Sequence, residues 1–127
     1  IHNYIDTENK ILRKGAISAQ NGERMIISLN MRDGCLICKG RENADWNYSA
    51  PHGAGRAYNR ADAVNSFTLS QYKKEMKGIF STSISRDTLD ECPMAYKNPQ
   101  TIIDLITPTA EITERLTTVY NYKSGTR

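Results

Sequence analysis

Cysteine, histidine and the larger aromatics are scarce in these 127 residues, which hold three Cys, two His, one Trp and two Phe. An odd number of thiols in a chain without a leader argues against a disulfide framework, and reduced thiols in a cytoplasmic setting are the expectation. A catalytic metal centre usually takes three or more protein ligands, and two histidines leave such a centre without evident partners. No apolar run approaches the roughly 18 residues of a membrane span, and no basic-then-apolar segment opens the chain, so neither membrane insertion nor secretion is expected. Charge of one sign is also lacking. Seventeen Lys and Arg against fourteen Asp and Glu leave +3, which permits an anionic partner without demanding one.

With 39% hydrophobic and 24% charged residues, the chain has material for one core and fits a single domain. Extended pieces are expected at Ile11–Arg13, Arg24–Leu29 and Cys35–Lys39, separated by turn signals at Asn21-Gly22 and Asp33-Gly34. They read as a small β-meander. Residues 40–59 read as a long loop, and such loops in compact domains are usually functional or disordered. Helices follow over Ala61–Phe67, from a cap at Thr68 or Ser70 to Lys77, and from Pro99 or Thr101 to Ile106. Residues Glu114–Tyr122, rich in Thr, Val and Tyr, suggest a returning strand. Strands first, helices later and a final strand define an α+β class.

The most unusual local sequence is Ser49-Ala50-Pro51-His52-Gly53-Ala54-Gly55-Arg56. Pro51 keeps Ala50 extended, while Gly53 and Gly55 allow positive φ or close approach of the backbone to a ligand. Exposed backbone amides would cradle an anion, and Arg56 would add a bidentate phosphate donor. Known phosphate loops do not account for it: no Lys-Ser or Lys-Thr ends a Walker A pattern, and Tyr58 stands where a dinucleotide fingerprint needs a small residue. A neutral imidazole among phosphate-binding groups can act as a base or attack phosphorus directly, forming a labile P–N bond. A lysine nucleophile in a Lys-x-Asp-Gly string is ruled out, because Met31 precedes Arg32-Asp33-Gly34. His52 is thus a turn histidine or a nucleophile. Cys35 and Cys38 have knuckle spacing but fall on opposite faces of a strand, and read as buried or site-lining thiols. Tyr96, Tyr120 and Tyr122, flanked by Lys97 and Lys123, could stack a base or cover a strand surface.

Six segments in order resemble the RtcB-type RNA-splicing ligases over nearly the whole chain: His2-Asn3-Tyr4, Arg13-Lys14-Gly15-Ala16, Asn30-Met31-Arg32-Asp33-Gly34, the 49–56 loop, Pro93-Met94-Ala95-Tyr96-Lys97 and Tyr122-Lys123. Family chains are longer, so residues 1–127 correspond to their C-terminal part, with 49–56 as the guanylylation loop. The resemblance implies a GTP- and manganese-dependent ligase joining RNA 3′-phosphate or 2′,3′-cyclic phosphate ends to 5′-hydroxyl ends, in tRNA splicing or RNA repair. It makes His52 the guanylylated nucleophile and His2 a metal ligand. It sets Asn3, Ser28, Leu29, Asn30, Met31, Cys35, Gly53, Ala54, Gly55, Tyr96 and Lys123 around the nucleotide.

Two departures matter. Ser28-Leu29-Asn30-Met31 replaces a Pro-Gly-Ser-Met or Pro-Gly-Thr-Met loop, and Cys35 replaces a serine, weakening its hydrogen bond. The family's other metal ligands and its acidic residue at guanine have no matching segment, so the resemblance implies an active parent and an inactive isolated chain. Apolar surface left uncovered would favour a homo-oligomer. The competing class is a phosphate- or RNA-binding module without covalent chemistry.

Overall fold

The computed structural model describes residues 1–124. Its strands are β1 (Asn3–Asp6), β2 (Ile11–Lys14), β3 (Ala16–Ser18), β4 (Arg24–Asn30), β5 (Gly34–Gly40), β6 (Ser49–Pro51) and β7 (Ala110–Leu116). Its α-helices are α1 (Arg60–Ser66), α2 (Leu69–Glu75) and α3 (Pro99–Ile106). The chain is α+β.

β4, β5 and β7 form one antiparallel sheet with β5 in the middle. Along β4, Met25, Ile27 and Leu29 point inward while Arg24, Ile26 and Ser28 point outward, the period of two that a half-buried strand requires. α3 starts at Pro99 behind an Asn98 cap and lays Ile102 and Ile106 on the inward row with Leu36, Cys38 and Ala110. Ile27 and Leu36 are fully buried, each contributing about 1.5–3 kcal/mol of transfer free energy.

A second core gathers Met31, Ala63, Tyr72, Met76, Leu89, Cys92 and Ala95 under α1, α2 and two 3₁₀ turns, Arg86–Glu91 and Pro93–Ala95. Thr68 caps α2 through a capping box with Gln71, and Asn59 caps α1 by accepting from the amide of Asp62. Met31, just past β4, belongs to the second core while Leu29 belongs to the first. The end of β4, residues 28–31, therefore lies at the seam between the cores.

The expected meander is three separate ladders. β4 and β5 make a hairpin, β1 pairs with β2 from Asn3↔Lys14 to Asp6↔Ile11, and β3 leaves to pair with β6. The expected loop 40–59 thus contains a strand, because Ala16↔Pro51, Ile17↔Ala50 and Ser18↔Ser49 satisfy its backbone from a distance. The last strand is Ala110–Leu116 rather than Glu114–Tyr122: β5 begins at Gly34, and the ladder ends at Cys35↔Leu116. Among the described residues no helix is long and apolar enough to cross a membrane.

Candidate active site

A cavity of about 860 Å³ opens at the seam, of a size that takes a nucleotide-like ligand. Its walls are the β4 exit (Ser28–Met31), Cys35, the loop His52–Arg56, Tyr96 and residues 116–121 with Lys123. Of the residues assigned to the nucleotide, Ser28, Leu29, Asn30, Met31, Cys35, Gly53, Ala54, Gly55, Tyr96 and Lys123 all line this one cavity. Asn3 does not; its Oδ1 accepts from the Gly15 amide at 2.8 Å beside it.

The loop reaches the cavity because it docks on the outer edge of β4. Ala54 N–H donates to Ser28 O at 2.8 Å, and Ser28 N–H to His52 O at 3.4 Å. A Cβ on Gly53 would lie 2.9 Å from Ser28 O, so close an approach that only glycine fits. Gly55 holds φ +73°, the left-handed region. The amides of Gly53 and Gly55 have no acceptor among the described residues, and the chain thus offers two free donors on the cavity wall.

His52 is exposed, and its ring Nδ1 lies 2.7 Å from the Gly15 carbonyl oxygen. A carbonyl can only accept, so this contact puts a proton on Nδ1, and in the neutral ring the lone pair is then on Nε2. His2 stacks on the same ring, centroids 4.4 Å apart and planes 12° from parallel. His2 and His52 come together although fifty residues separate them, because the β1–β2 hairpin and the β3–β6 ladder share the turn at Gly15.

Behind the opposite wall lies a carboxylate the sequence did not single out. Glu91 accepts from Tyr96 Oη at 2.7 Å and Arg56 Nη2 at 2.6 Å, pairs with Lys123 Nζ at 3.3 Å, and is bonded by Arg60. Burial works against its charge, but the bonds from Tyr96 and Arg60 and the charges of Lys123 and Arg56 outweigh it and bring its pKa down to about 2. Burial, then Glu91 itself, pushes the Tyr96 hydroxyl up to about 12, so Tyr96 stays a donor. Arg56 was expected to face phosphate; its guanidinium instead holds Asp90 O at 2.6 Å and Glu91, and lies 5.0 Å over the Tyr96 ring. Two acidic residues ahead of Pro93 were the available signal for Glu91; the Gly15 carbonyl, being backbone, had none.

These walls suit a phosphate-bearing ligand of nucleotide size. Gly53 and Gly55 bring amides with no acceptor among the described residues, Lys123 brings a cation, and Asn121, which also lines the wall, keeps its Oδ1 buried without a partner among the described residues. Metal ions do not fit in the same way: no group of three or more His, Cys, Asp or Glu is assembled among the described residues. Cys38 lies in the core with its thiol pushed up to about 11 by burial, and Cys35 is half-buried on the cavity wall.

A cavity with a glycine-flanked imidazole at one wall and a tyrosine–lysine–carboxylate group at the other is what six ordered motifs require to be near one another. The family model described as tRNA-splicing ligase RtcB matches residues 1–124. The chain is 32% identical over 105 residues to the RNA-splicing ligase RtcB of Escherichia coli strain K12, covering 76% of this chain and 25% of that protein. It is 37% identical over 81 residues to the tRNA-splicing ligase RtcB of Aeropyrum pernix (61% and 17%) and 32% over 89 residues to that of Methanococcus maripaludis (66% and 18%). The chain spans a quarter or less of the length of these curated relatives. With four of the six motifs lining one cavity, the other two meeting at His2, Asn3 and Gly15 beside His52, and the family match running from end to end of the described residues, the chain belongs to the RtcB tRNA-splicing ligase family.

Proposed function

We propose that these residues form the nucleophile-bearing part of a GTP-dependent RNA ligase that joins a 3′-phosphate or 2′,3′-cyclic phosphate end to a 5′-hydroxyl end. The observation that carries this reading is the Gly15 carbonyl on His52 Nδ1, which leaves Nε2 unprotonated beside a nucleotide-sized cavity. Nε2 attacks the α-phosphorus; the N–P bond forms as the bond to the pyrophosphate oxygen breaks. The imidazole becomes cationic, and its Nδ1–H, already on Gly15 O, holds that charge in place. The Gly53 and Gly55 amides receive phosphate oxygens. Water first opens a 2′,3′-cyclic end to the 3′-phosphate; an oxygen of that phosphate attacks the GMP phosphorus as the P–N bond breaks, and the 5′-hydroxyl, losing its proton to solvent, then attacks the 3′-phosphorus and expels GMP.

Elsewhere on the cavity wall, Lys123 donates to guanine O6. Tyr96 and Glu91 keep Lys123 in place. His2 offers one imidazole donor; manganese belongs to the proposal as an ion whose other ligands lie outside residues 1–124, and RNA as the substrate of the whole protein.

Incubation with GTP and manganese, followed by intact-mass measurement and peptide mapping, tests this. A GMP adduct on His52 is expected in the whole protein, lost in His52→Ala, and absent from residues 1–127 alone. Undiminished adduct in His52→Ala would overturn the assignment.

A further inference from the structure

Arg13 is the largest fully buried side chain of the described residues. Its fork reaches two segments, β1 and the start of β6. Nη1 donates to Tyr4 Oη at 2.9 Å and pairs with Asp6 at 3.0 Å on β1, Nε donates to Ser49 Oγ at 2.8 Å on β6, and Nη2 donates to Tyr48 O at 3.2 Å. Ser49 Oγ in turn donates to Asn47 O at 2.7 Å. Replacing such a buried ion pair with apolar side chains is often neutral or stabilising, so stability is a weak reason for placing an arginine here. Geometry is a better one, because a planar guanidinium fixes the directions of its partners.

With β2, these two segments present the two stacked rings. β1 begins at Asn3, one residue after His2; β6 ends at Pro51, one residue before His52. β2, which carries Arg13, runs into Gly15, whose carbonyl takes the His52 ring and whose amide takes Asn3 Oδ1. We propose that Arg13 is a positioning residue for His52. By clamping β6 to the β1–β2 hairpin it keeps the Gly15 carbonyl against Nδ1, and so holds the ring in the tautomer that frees Nε2. Unconstrained imidazole in water favours the proton on Nε2, so the clamp opposes the ring's own preference. The effect on reaction presupposes the His52 nucleophile proposed above; the effect on the tautomer does not.

The test uses nitrogen-15 NMR of the imidazole rings at a pH of about 8.5, above the usual imidazole range, in the 127-residue chain. Arg13→Lys keeps a charge beside Asp6 but cannot reach Ser49 and Tyr48 together, and Ser49→Ala cuts the strut to β6 alone. Both variants are expected to move His52 from the Nδ1–H signature towards Nε2–H, and Ser49→Thr to restore it. Met76→Ala, in the second core, which holds no residue of β1, β2 or β6, lowers the melting temperature and leaves the His52 signature unchanged. In the whole protein, GMP adduct formation should slow by roughly 10- to 100-fold in Arg13→Lys, the range expected for misplacing a reacting group by up to about 1 Å. A His52 signature that stays Nδ1–H in Ser49→Ala, and in Arg13→Lys where it folds, overturns the clamp. A shifted signature with no adduct even in the unsubstituted whole protein overturns the nucleophile reading and leaves the clamp standing.

Discussion

Replacing Glu91 with Gln removes the one carboxylate that Arg56, Arg60, Tyr96 and Lys123 share. Its folded pKa lies at about 2 against an ordinary 4.5, and a pKa unit is worth 1.36 kcal/mol, so the charge contributes about 3 kcal/mol at neutral pH. Arg60 is half exposed and Lys123 about a third, and screening there lowers the figure to about 2 kcal/mol. A depressed folded pKa gives stability that is complete above the unfolded value and is lost as pH falls through the folded one. The difference between the native chain and Glu91→Gln should therefore be full at pH 7, shrink from about pH 4.5 downwards and vanish near pH 2. Asp6, with its carboxyl also lowered to about 2 by the Asn9 amides and Arg13, titrates in both proteins and cancels. Urea unfolding followed by Trp46 fluorescence at several pH values measures this. A Glu91→Gln variant within about 0.5 kcal/mol of the native chain at pH 7, the ordinary surface range, would refute the cooperative role of the carboxylate. So would a difference that persists unchanged at pH 2.

Gly53→Ala forces a Cβ to 2.9 Å from Ser28 O, and should cost about 1–3 kcal/mol and detach the loop, read by urea unfolding and by nucleotide binding. Gly55→Ala meets only the flexible Lys97 side chain at 3.8 Å, so its cost is the φ of +73°, about 1–2 kcal/mol. Brief alkylation followed by peptide mapping should label Cys35 on the cavity wall before Cys38 or Cys92, both buried with thiols pushed up by burial; bound GTP should slow the labelling. Lys123→Ala should reduce the preference for GTP over ATP by about 1.5–3 kcal/mol, roughly 10- to 100-fold in competition binding, and unchanged discrimination would place Lys123 away from the base.

Where a signal is local, the sequence was legible. The turns at Asn21-Gly22 and Asp33-Gly34 stand where Gly22 and Gly34 take positive φ, and the three helices begin behind Asn59, Thr68 and Asn98. Thr117–Tyr122 has the composition of a strand yet pairs with nothing beyond a bridge from Tyr120 to Phe80, while the less β-prone Ala110-Glu111 pairs with Gly40 and Lys39. Strand ends follow the partner's ladder, and a partner seventy residues away leaves no trace in local propensity. The three-residue strands β3 and β6 are too short for any period to show.

The candidate site divides in the same way. His52, its flanking glycines, Cys35, Tyr96 and Lys123 were legible because their chemistry resides in side-chain type and in the order of motifs. That Arg56 serves Glu91 and Asp90, that Glu91 joins four side chains, and that a backbone carbonyl at Gly15 sets the His52 tautomer were decided by tertiary structure alone. Side-chain identity states what a group can do. Its partner, its proton and its pKa depend on what the fold brings near it, within about 3 Å for a hydrogen bond and about 4–6 Å for a neighbouring charge.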